Sequence, residues 1–103
     1  MADETTAVTR NDEEQRYEIH TGGVLAGFTE FRDGSDGVEF PHTEIDPAFK
    51  GRGLATILVA EAMTDAASRG LTVVPHCTFV AKYLRENEVP GLEVSWPDTP
   101  LPQ

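Results

Sequence analysis

A glycine-rich loop that precedes a helix is the part of this sequence best suited to binding a ligand. It runs through Lys50, Gly51, Arg52 and Gly53, and a helical pattern begins at Leu54. Glycines let a ligand approach the backbone closely, and the first turn of a helix presents free N–H groups and a positive dipole. The two cations add charge to the loop of a chain whose formal net charge is −10. The segment is therefore predicted to bind an anion.

The spacing of the loop separates it from two common phosphate-binding motifs. A P-loop has a longer spacing that ends in Gly-Lys-Ser/Thr, and this ending is absent. A dinucleotide-binding fingerprint requires Gly-x-Gly-x-x-Gly after a first strand and an acidic residue after the next strand. The alternative to an anion site is that the glycines only cap the helix.

Two side chains before the loop could act as a general base. His42 and Glu44 lie on a predicted strand, where alternation places them with Phe40 on one face and puts Thr43 and Ile45 on the other. Either group could accept a proton in catalysis. The alternative is that the two residues form a solvated polar strand edge.

Cys77 lies just past a short predicted strand, near the start of a second helix. A helix N-terminus stabilises a thiolate, so Cys77 could act as a nucleophile or line the site. Lone cysteines are most often buried small apolar residues. His20 and His76 are interpreted as surface histidines, and no spacing among the histidines and Cys77 predicts a metal site.

Three strands must position these residues. They are predicted over residues 16–20, 24–31 and 38–45, with glycine-rich turns between them, and they form an antiparallel meander that ends at the loop. Pro41 disfavours regular pairing inside the third strand and indicates an edge or a bulge.

The loop leads into a helix of about 17 residues that starts at Leu54 and ends with Gly70 as its C′ residue. A strand over 71–74 follows, parallel to the third strand through a right-handed crossover. A second helix over 79–86 and a last strand over 92–94 complete the pattern. One apolar stripe supports the first helix: Ala55, Leu58, Val59, Ala62, Met63 and Ala66.

Composition excludes several classes of protein. The chain has 103 residues, which allows one domain, and its 18 acidic against 8 basic side chains argue against a nucleic-acid partner. No apolar run approaches the roughly 20 residues that span a bilayer, and the N-terminus is polar and acidic, unlike a secretory signal. A single cysteine forms no intramolecular disulfide. We therefore expect a cytoplasmic protein with a disordered acidic tail over 1–14, a folded domain over 15–96 and a proline-rich tail over 97–103.

The loop and its flanks resemble a known family. The segment 50–55, Lys-Gly-Arg-Gly-Leu-Ala, is similar to the (Arg/Gln)-x-x-Gly-x-(Gly/Ala) signature of the GNAT acetyltransferases. The flanking segments 42–45 and 74–80, in so short a chain, resemble the YjdJ-type branch of small GNAT-like proteins, over about residues 16–95. That branch usually ends its second helix with His-Pro-Glu, where this chain has Asn-Glu-Val-Pro over 87–90.

The resemblance implies a single α+β domain with a mixed antiparallel and parallel sheet, two main helices and splayed central strands. Acetyl-CoA would bind between those strands as cosubstrate, with no metal. Larger members carry two helices between their first two strands, and only the turn 21–23 stands there, so the acceptor site should be open and could be completed by a second subunit. The cofactor-binding residues that the resemblance implies are Ile45, Lys50, Gly51, Arg52, Gly53, Leu54, Ala55 and Thr56.

The implied reaction is acetyl transfer to an amine by direct attack on the thioester. A lysine-type amine has a pKa near ~10.4 and is mostly protonated at neutral pH, so a base at Glu44 or His42 would help. Tyr83 falls where the family often carries a tyrosine that protonates the departing thiolate, although it could simply pack, and Cys77 is the other candidate for that thiolate.

The acceptor could be a protein lysine, a polyamine or a small amine, and the protein a monomer or weak homodimer. Two alternatives to an enzyme remain: a CoA or acyl-CoA binding module with little or no activity, and a partner-binding domain.

Overall fold

The computed structural model describes residues 5–97, whose strands form one sheet in the order β1-β2-β3-β4-β5-β6. The first four strands are antiparallel neighbours, and β5 and β6 each pair in parallel with the strand before them. Together with two helices, this mixed sheet confirms the predicted small α+β fold. The strands are β1 (Thr6–Asn11), β2 (Arg16–Thr21), β3 (Val24–Gly34), β4 (Gly37–Ile45), β5 (Thr72–Val74) and β6 (Glu93–Val94).

Two helices connect the parallel strands and lie on the same face of the sheet. Helix α1 (Leu54–Ser68) joins β4 to β5, and helix α2 (Thr78–Glu86) joins β5 to β6. Both connections step the same way along the sheet, so right-handed crossovers place both helices on one side. Val80 of α2 accordingly belongs to the same buried core cluster as Leu58 and Met63 of α1.

The sheet face opposite the helices, which we call the outer face, carries Arg16, Glu18, Phe28, His42 and Glu44. The Arg16 guanidinium pairs with Glu18 at 2.8 Å and lies 4.5 Å from the centre of the Phe28 ring. The Phe28 and His42 ring centroids are 6.1 Å apart, and His42 Nε2 lies 3.1 Å from Glu44 Oε1. These contacts form a line across β2, β3 and β4 that neither helix covers.

A β-bulge at Pro41 changes which residues of β4 face the core. The register pairs His42 with Glu30 but Glu39 with Arg32, so two residues of β4 oppose one of β3. This confirms the irregularity predicted at the proline. Phe40 is 1% exposed in the core. The predicted grouping of Phe40 with His42 and Glu44 on one face is wrong, because the extra residue reverses the alternation.

The strand β1 lies inside the tail that was predicted to be disordered over 1–14, and the prediction is wrong for the residues of this strand. Thr6–Asn11 pairs antiparallel with β2, and the Arg10 guanidinium lies 4.2 Å from the centre of the Phe31 ring. Half of the residues of this strand are exposed and none is buried, and Val8 is its one apolar residue packed on the core. The strand therefore lacks the apolar alternation that identified the other strands. Residues 1–4 and 98–103, including most of the predicted proline-rich tail, lie outside the described residues.

Helix α1 begins after Gly53 and ends before Gly70, as the positions of these glycines in the sequence indicated. Gly70 has a φ of +69°, and its N–H donates to the Ala67 carbonyl while the N–H of Leu71 donates to the Ala66 carbonyl. This pair of bonds is the Schellman motif, which satisfies carbonyls at the end of a helix. Of the predicted apolar stripe, all members except Ala55 are buried; Leu54 is buried in its place.

A polar network ties the end of α1 to the first two strands. The Tyr17 hydroxyl donates to Asp65 Oδ2 at 2.6 Å and accepts from Arg10 Nη1 at 2.8 Å. Burial, with the bond to Asp65, raises the pKa of Tyr17 to about 12. Burial alone would raise the pKa of Asp65, but hydrogen bonds from Tyr17 and Arg69 and the nearby guanidinium charges outweigh it and lower that pKa.

The Tyr17 phenol is expected to stabilise the fold only while it is protonated. Because its pKa is raised in the folded state, its contribution is complete below the ordinary pKa of about 10. The contribution is lost as the pH rises through about 12. Phenolate absorbance of the Tyr83→Phe variant, which retains Tyr17 as its one tyrosine, measures this ionisation. Ionisation near 10, while circular dichroism still reports a folded chain, would contradict the expectation.

Candidate functional site

The parallel strands β4 and β5 separate after a short pairing. Only Val38 and Glu39 of β4 have partners in β5, and the last backbone bond on this side runs from the Cys77 N–H to the Phe40 carbonyl at 2.7 Å. Beyond Phe40, β4 continues to Ile45 beside β3, while the chain after β5 turns into α2. Within the described chain, this half of β4 has no strand on its other side, which leaves a gap.

A cleft of about 410 Å³ opens at this gap. Seven of the eight predicted cofactor-binding residues line it, and Thr43 and Phe79 complete its wall. Arg52 is the predicted residue that is not part of the wall; its guanidinium lies 5.3 Å from the centre of the Phe49 ring. The seven are Ile45, Lys50, Gly51, Gly53, Leu54, Ala55 and Thr56.

The glycines of the loop hold the backbone open to the cleft. Gly51 has a φ of +83° and Gly53 a φ of +73°, and a Cβ built on either would meet no atom within 4 Å. Gly53 is the N-cap of α1, and no side chain caps the helix there. The first turn of α1 therefore lacks the side-chain acceptor that usually satisfies one of its N–H groups. Uncapped N–H groups beside a cation suit an anionic ligand.

The chain enters the loop through a short turn that fixes its direction. Pro47–Phe49 forms one turn of 3-10 helix, and the Asp46 carboxylate accepts a hydrogen bond from the Ala48 N–H at 2.9 Å. The Asp46 N–H donates to the Ala26 carbonyl at 2.8 Å, which keeps the end of β4 attached to β3. The carboxylate nearest the loop in sequence is thus used as a cap, and Lys50 remains the charged side chain in the wall of the cleft.

The two candidate bases lie on the other side of β4 from the cleft. His42 and Glu44 contact each other on the outer face, with side chains 53% and 58% exposed. Thr43 and Ile45, which alternate with them, line the cleft. The thickness of one strand therefore separates the candidate bases from the cleft.

Cys77 stands next to the cleft wall without being part of it. It is the N-cap residue of α2, and its thiol donates to Thr43 Oγ1 at 3.4 Å. Thr43 Oγ1 in turn lies 2.8 Å from Thr29 Oγ1, and Thr29 is fully buried. The thiol is thus connected to the cleft through the Thr43 hydroxyl.

Tyr83 lies in a neighbouring recess of about 130 Å³ rather than in the cleft. The recess also holds Lys82 and Glu86, and it shares Thr56 and Phe79 with the cleft wall. Tyr83 packs partly on the core as well, as the alternative interpretation predicted. Of the four predicted catalytic residues, the structure brings His42 and Glu44 together on the outer face. Cys77 is connected to the cleft through one hydroxyl, and Tyr83 lies in the neighbouring recess.

Thr43 and Phe79 are the wall residues that were not predicted. Thr43 could have been found, because strand alternation already placed it on one face with Ile45. Phe79 shows helical spacing with the apolar residues that follow it, and this pattern indicates packing rather than ligand contact.

A family model for the GCN5-related N-acetyl-transferase matches residues 16–90. The chain belongs to this family. The matched range starts with β2 and continues beyond α2, so it contains the outer face, the loop and the cleft. This membership confirms the resemblance to the GNAT acetyltransferases, and the YjdJ-type branch stays a prediction.

Curated relatives of this GCN5-related chain carry the name Protein NATD1. The protein from Xenopus tropicalis is 37% identical over 57 residues, which cover 55% of this chain and 52% of the relative. Those from Mus musculus and Homo sapiens are each 34% identical over 53 residues, or 52% of this chain and 48% and 47% of the relatives. The chain thus spans about half the length of the curated relatives that it matches.

Residues 5–97 contain neither a cluster of metal-binding side chains nor a membrane-spanning helix. No group of three or more His, Cys, Asp or Glu side chains in this range could hold a metal ion. No helix in the same range is long and apolar enough to cross a membrane.

Proposed function

We propose that this GCN5-related protein is an acetyl-CoA-dependent N-acetyltransferase that transfers the acetyl group to an amine by direct attack on the thioester. The observation that carries the proposal is the continuous cleft from the uncapped helix N-terminus to the gap beside β4. Its volume of about 410 Å³ falls in the usual range for small-molecule sites.

The loop end of the cleft would hold the pyrophosphate of CoA. The uncapped N–H groups of the first turn of α1 supply donors, the helix dipole favours negative charge, and Lys50 adds a cation. The backbone atoms of Gly51 and Gly53 are accessible, because a Cβ at either position would point into empty space. Arg52 stacks near Phe49 and would contribute charge from outside the wall.

The pantetheine arm would extend along the free side of β4. From Pro41 to Ile45 this strand has β3 on one side only, and the exposed edge of a strand offers N–H and C=O groups to an extended ligand. An arm that pairs with this edge takes the place that a longer β5 would occupy. The acyl group would then reach the gap between the strands.

The acceptor amine would approach from the outer face. Glu44 and His42 stand there in contact and half-exposed, close to the gap through which the thioester is reached. A lysine-type amine is mostly protonated at neutral pH, and a neighbouring carboxylate or imidazole can take its proton as the N–C bond forms. The formal net charge of −10 favours a cationic acceptor. Cys77, next to Thr43, or Tyr83, in the neighbouring recess, would then protonate the leaving thiolate.

A CoA or acyl-CoA binding module is the second candidate function. It is favoured by the outer face, which no helix of the described chain covers, so that an acceptor has no enclosed site. A binding module would bind acetyl-CoA and CoA but would transfer the acetyl group to free amines only slowly.

Calorimetric titration with acetyl-CoA, CoA, ATP and NAD in parallel tests the proposal, followed by acetyl transfer to a panel of amines. Binding of the two CoA species in preference to ATP and NAD, with transfer to an amine, is the expected result. Binding without transfer would favour the binding module. Absence of CoA binding would contradict both candidates.

The Cys77→Ala variant separates direct transfer from an acyl-cysteine route. Direct attack needs no enzyme nucleophile, so this variant should bind acetyl-CoA within about threefold of the parent. With Tyr83 as the acid that protonates the thiolate, it should also keep its rate within about tenfold. Mass spectrometry of the parent after rapid mixing with acetyl-CoA should show no acetylated Cys77. A rate loss beyond about a thousandfold, together with a trapped acyl-enzyme, would replace direct attack by the two-step route.

A further inference from the structure

The part of the cleft that lies along β4, away from the loop, contains one polar side chain of that strand. Thr43, Ile45 and Phe79 form its wall, and the last two are apolar. Thr43 is two residues before Ile45 on β4, so it lies roughly 7 Å further from the loop along the strand. With the phosphates of CoA at the loop, the acyl thioester would sit at this apolar end beside the Thr43 hydroxyl.

Two neighbouring side chains hold the Thr43 hydroxyl in place. The Cys77 thiol donates to Thr43 Oγ1 at 3.4 Å, and Thr29 Oγ1 lies 2.8 Å away on the adjacent strand β3. Thr29 is fully buried, so its hydroxyl must find its partners within the protein. Within residues 5–97, its other partner is the His42 carbonyl at 3.5 Å, which is a long hydrogen bond.

The direction of the Thr43 proton depends on which of its neighbours donate hydrogen bonds to it. A hydroxyl has one proton and two lone pairs. If Thr29 and Cys77 both donate to Thr43, both lone pairs are used and the proton is free to point to an acceptor in the cleft. In the opposite arrangement Thr43 donates to Thr29, and Thr29 is left with the long bond to the His42 carbonyl. An acceptor in the cleft therefore favours the first arrangement, because the long bond from Thr29 to the His42 carbonyl is exchanged for a hydrogen bond from Thr43 to that acceptor.

We propose that the Thr43 hydroxyl donates a hydrogen bond to the acyl carbonyl oxygen of the bound thioester, and that Thr29 and Cys77 are positioning residues that act through it. This inference rests on the proposed function. As the amine nitrogen bonds to the carbonyl carbon, the C=O electron pair moves to oxygen, and the donor stabilises that charge. When the C=O re-forms, the C–S bond breaks and CoA leaves as thiolate. The amine proton goes to the base on the outer face, and Thr43 keeps its own proton.

The Thr43→Val variant tests the proposal, because valine has the shape of threonine without the hydroxyl. Calorimetry with Thr43→Val is expected to show acetyl-CoA binding weakened about three- to tenfold, the effect of one neutral hydrogen bond, and CoA binding unchanged within about twofold. Thr43→Ser retains the hydroxyl, so this variant should keep most of the parent's preference for acetyl-CoA over CoA. In turnover, Thr43→Val should lower kcat more than it raises KM, because the bond strengthens as charge develops.

Two further variants complete the test. Thr29→Val removes the buried hydroxyl and should change the ratio of acetyl-CoA to CoA affinity in the same direction as Thr43→Val, but by less. Thr29→Ser retains the hydroxyl and should leave this ratio unchanged. Thr56→Val removes a hydroxyl from the loop end of the cleft and should affect acetyl-CoA and CoA alike. An unchanged ratio of affinities in Thr43→Val would overturn the role of Thr43 while leaving CoA binding intact. Failure of the parent protein to bind either CoA species would overturn the proposed function, and this inference with it.

Discussion

Gly53→Val is expected to weaken the binding of acetyl-CoA and CoA by at least about 100-fold. Gly53 has a φ of +73°, and its Cβ position is empty space at the N-terminus of α1. A β-branched residue strains this conformation by roughly 1–2 kcal/mol and places two methyl groups where the phosphates would meet the first N–H groups of the helix. The strain lowers the stability of the fold, and the steric block to the phosphates is expected to cost more than the ~2.7 kcal/mol that corresponds to a 100-fold loss of affinity. Calorimetric titration of the purified variant with both ligands measures the loss.

Gly70→Val is the matched control for Gly53→Val. Gly70 also has a positive φ, +69°, and open space at its Cβ position, but it lies at the opposite end of α1. The two variants should lose similar amounts of thermal stability, while Gly70→Val binds CoA as the parent does. Unchanged affinity in Gly53→Val would contradict the anion site. Equal loss of affinity in both variants would show that strain in α1, rather than the loop itself, is responsible.

Replacing both Glu44 and His42 by glutamine is expected to lower kcat/KM for the amine by about 100- to 10,000-fold, the usual contribution of a general base. Each single variant should lose less of the kcat/KM than the double variant, because the two side chains are in contact and either one can accept the proton. The loss should shrink as the pH rises toward the acceptor's own pKa of about 10.4, since more of the amine is then already neutral. CoA affinity should stay within about threefold of the parent, because neither side chain lines the cleft.

Steady-state kinetics over a pH series measure this effect, with Glu61→Gln as the control. Glu61 is exposed on α1, on the helix side of the sheet, so its replacement changes the net charge without touching the outer face. If the Glu44→Gln, His42→Gln double variant keeps the parent rate at neutral pH, the base does not lie on the outer face. If Glu61→Gln slows the reaction as much, long-range attraction of the amine accounts for the loss.

The parts of the fold that sequence patterns predicted are those determined by local geometry. Gly22 and Gly23, with φ of +58° and +80°, close the hairpin between β2 and β3 in two residues, and Gly70 ends α1. Pro41 marks the bulge in β4, because a proline cannot donate to a regular ladder. The loop that lines the cleft was predicted for the same reason, since its glycines and the following helix are contiguous in the chain.

The parts that were missed depend on residues distant in sequence. The bulge could be located from Pro41, but its consequence, the burial of Phe40 away from His42, needed the pairing with β3. The strand β1 is held by Arg10 against Tyr17 and Phe31, and a polar exposed hexapeptide does not reveal such contacts. The hydroxyl cluster at the cleft combines residues of β3, β4 and the start of α2, and no spacing within one segment indicates it.

The placement of both helices on one face has a consequence for the kinetic mechanism. In the proposed reaction the thioester enters from the helix side of β4 and the amine from the outer face, so neither reactant passes through the entrance of the other. Bound CoA does not block the departure of the acetylated product, and bound amine does not block CoA. The order of addition is therefore expected to be random, with the two products released independently of each other.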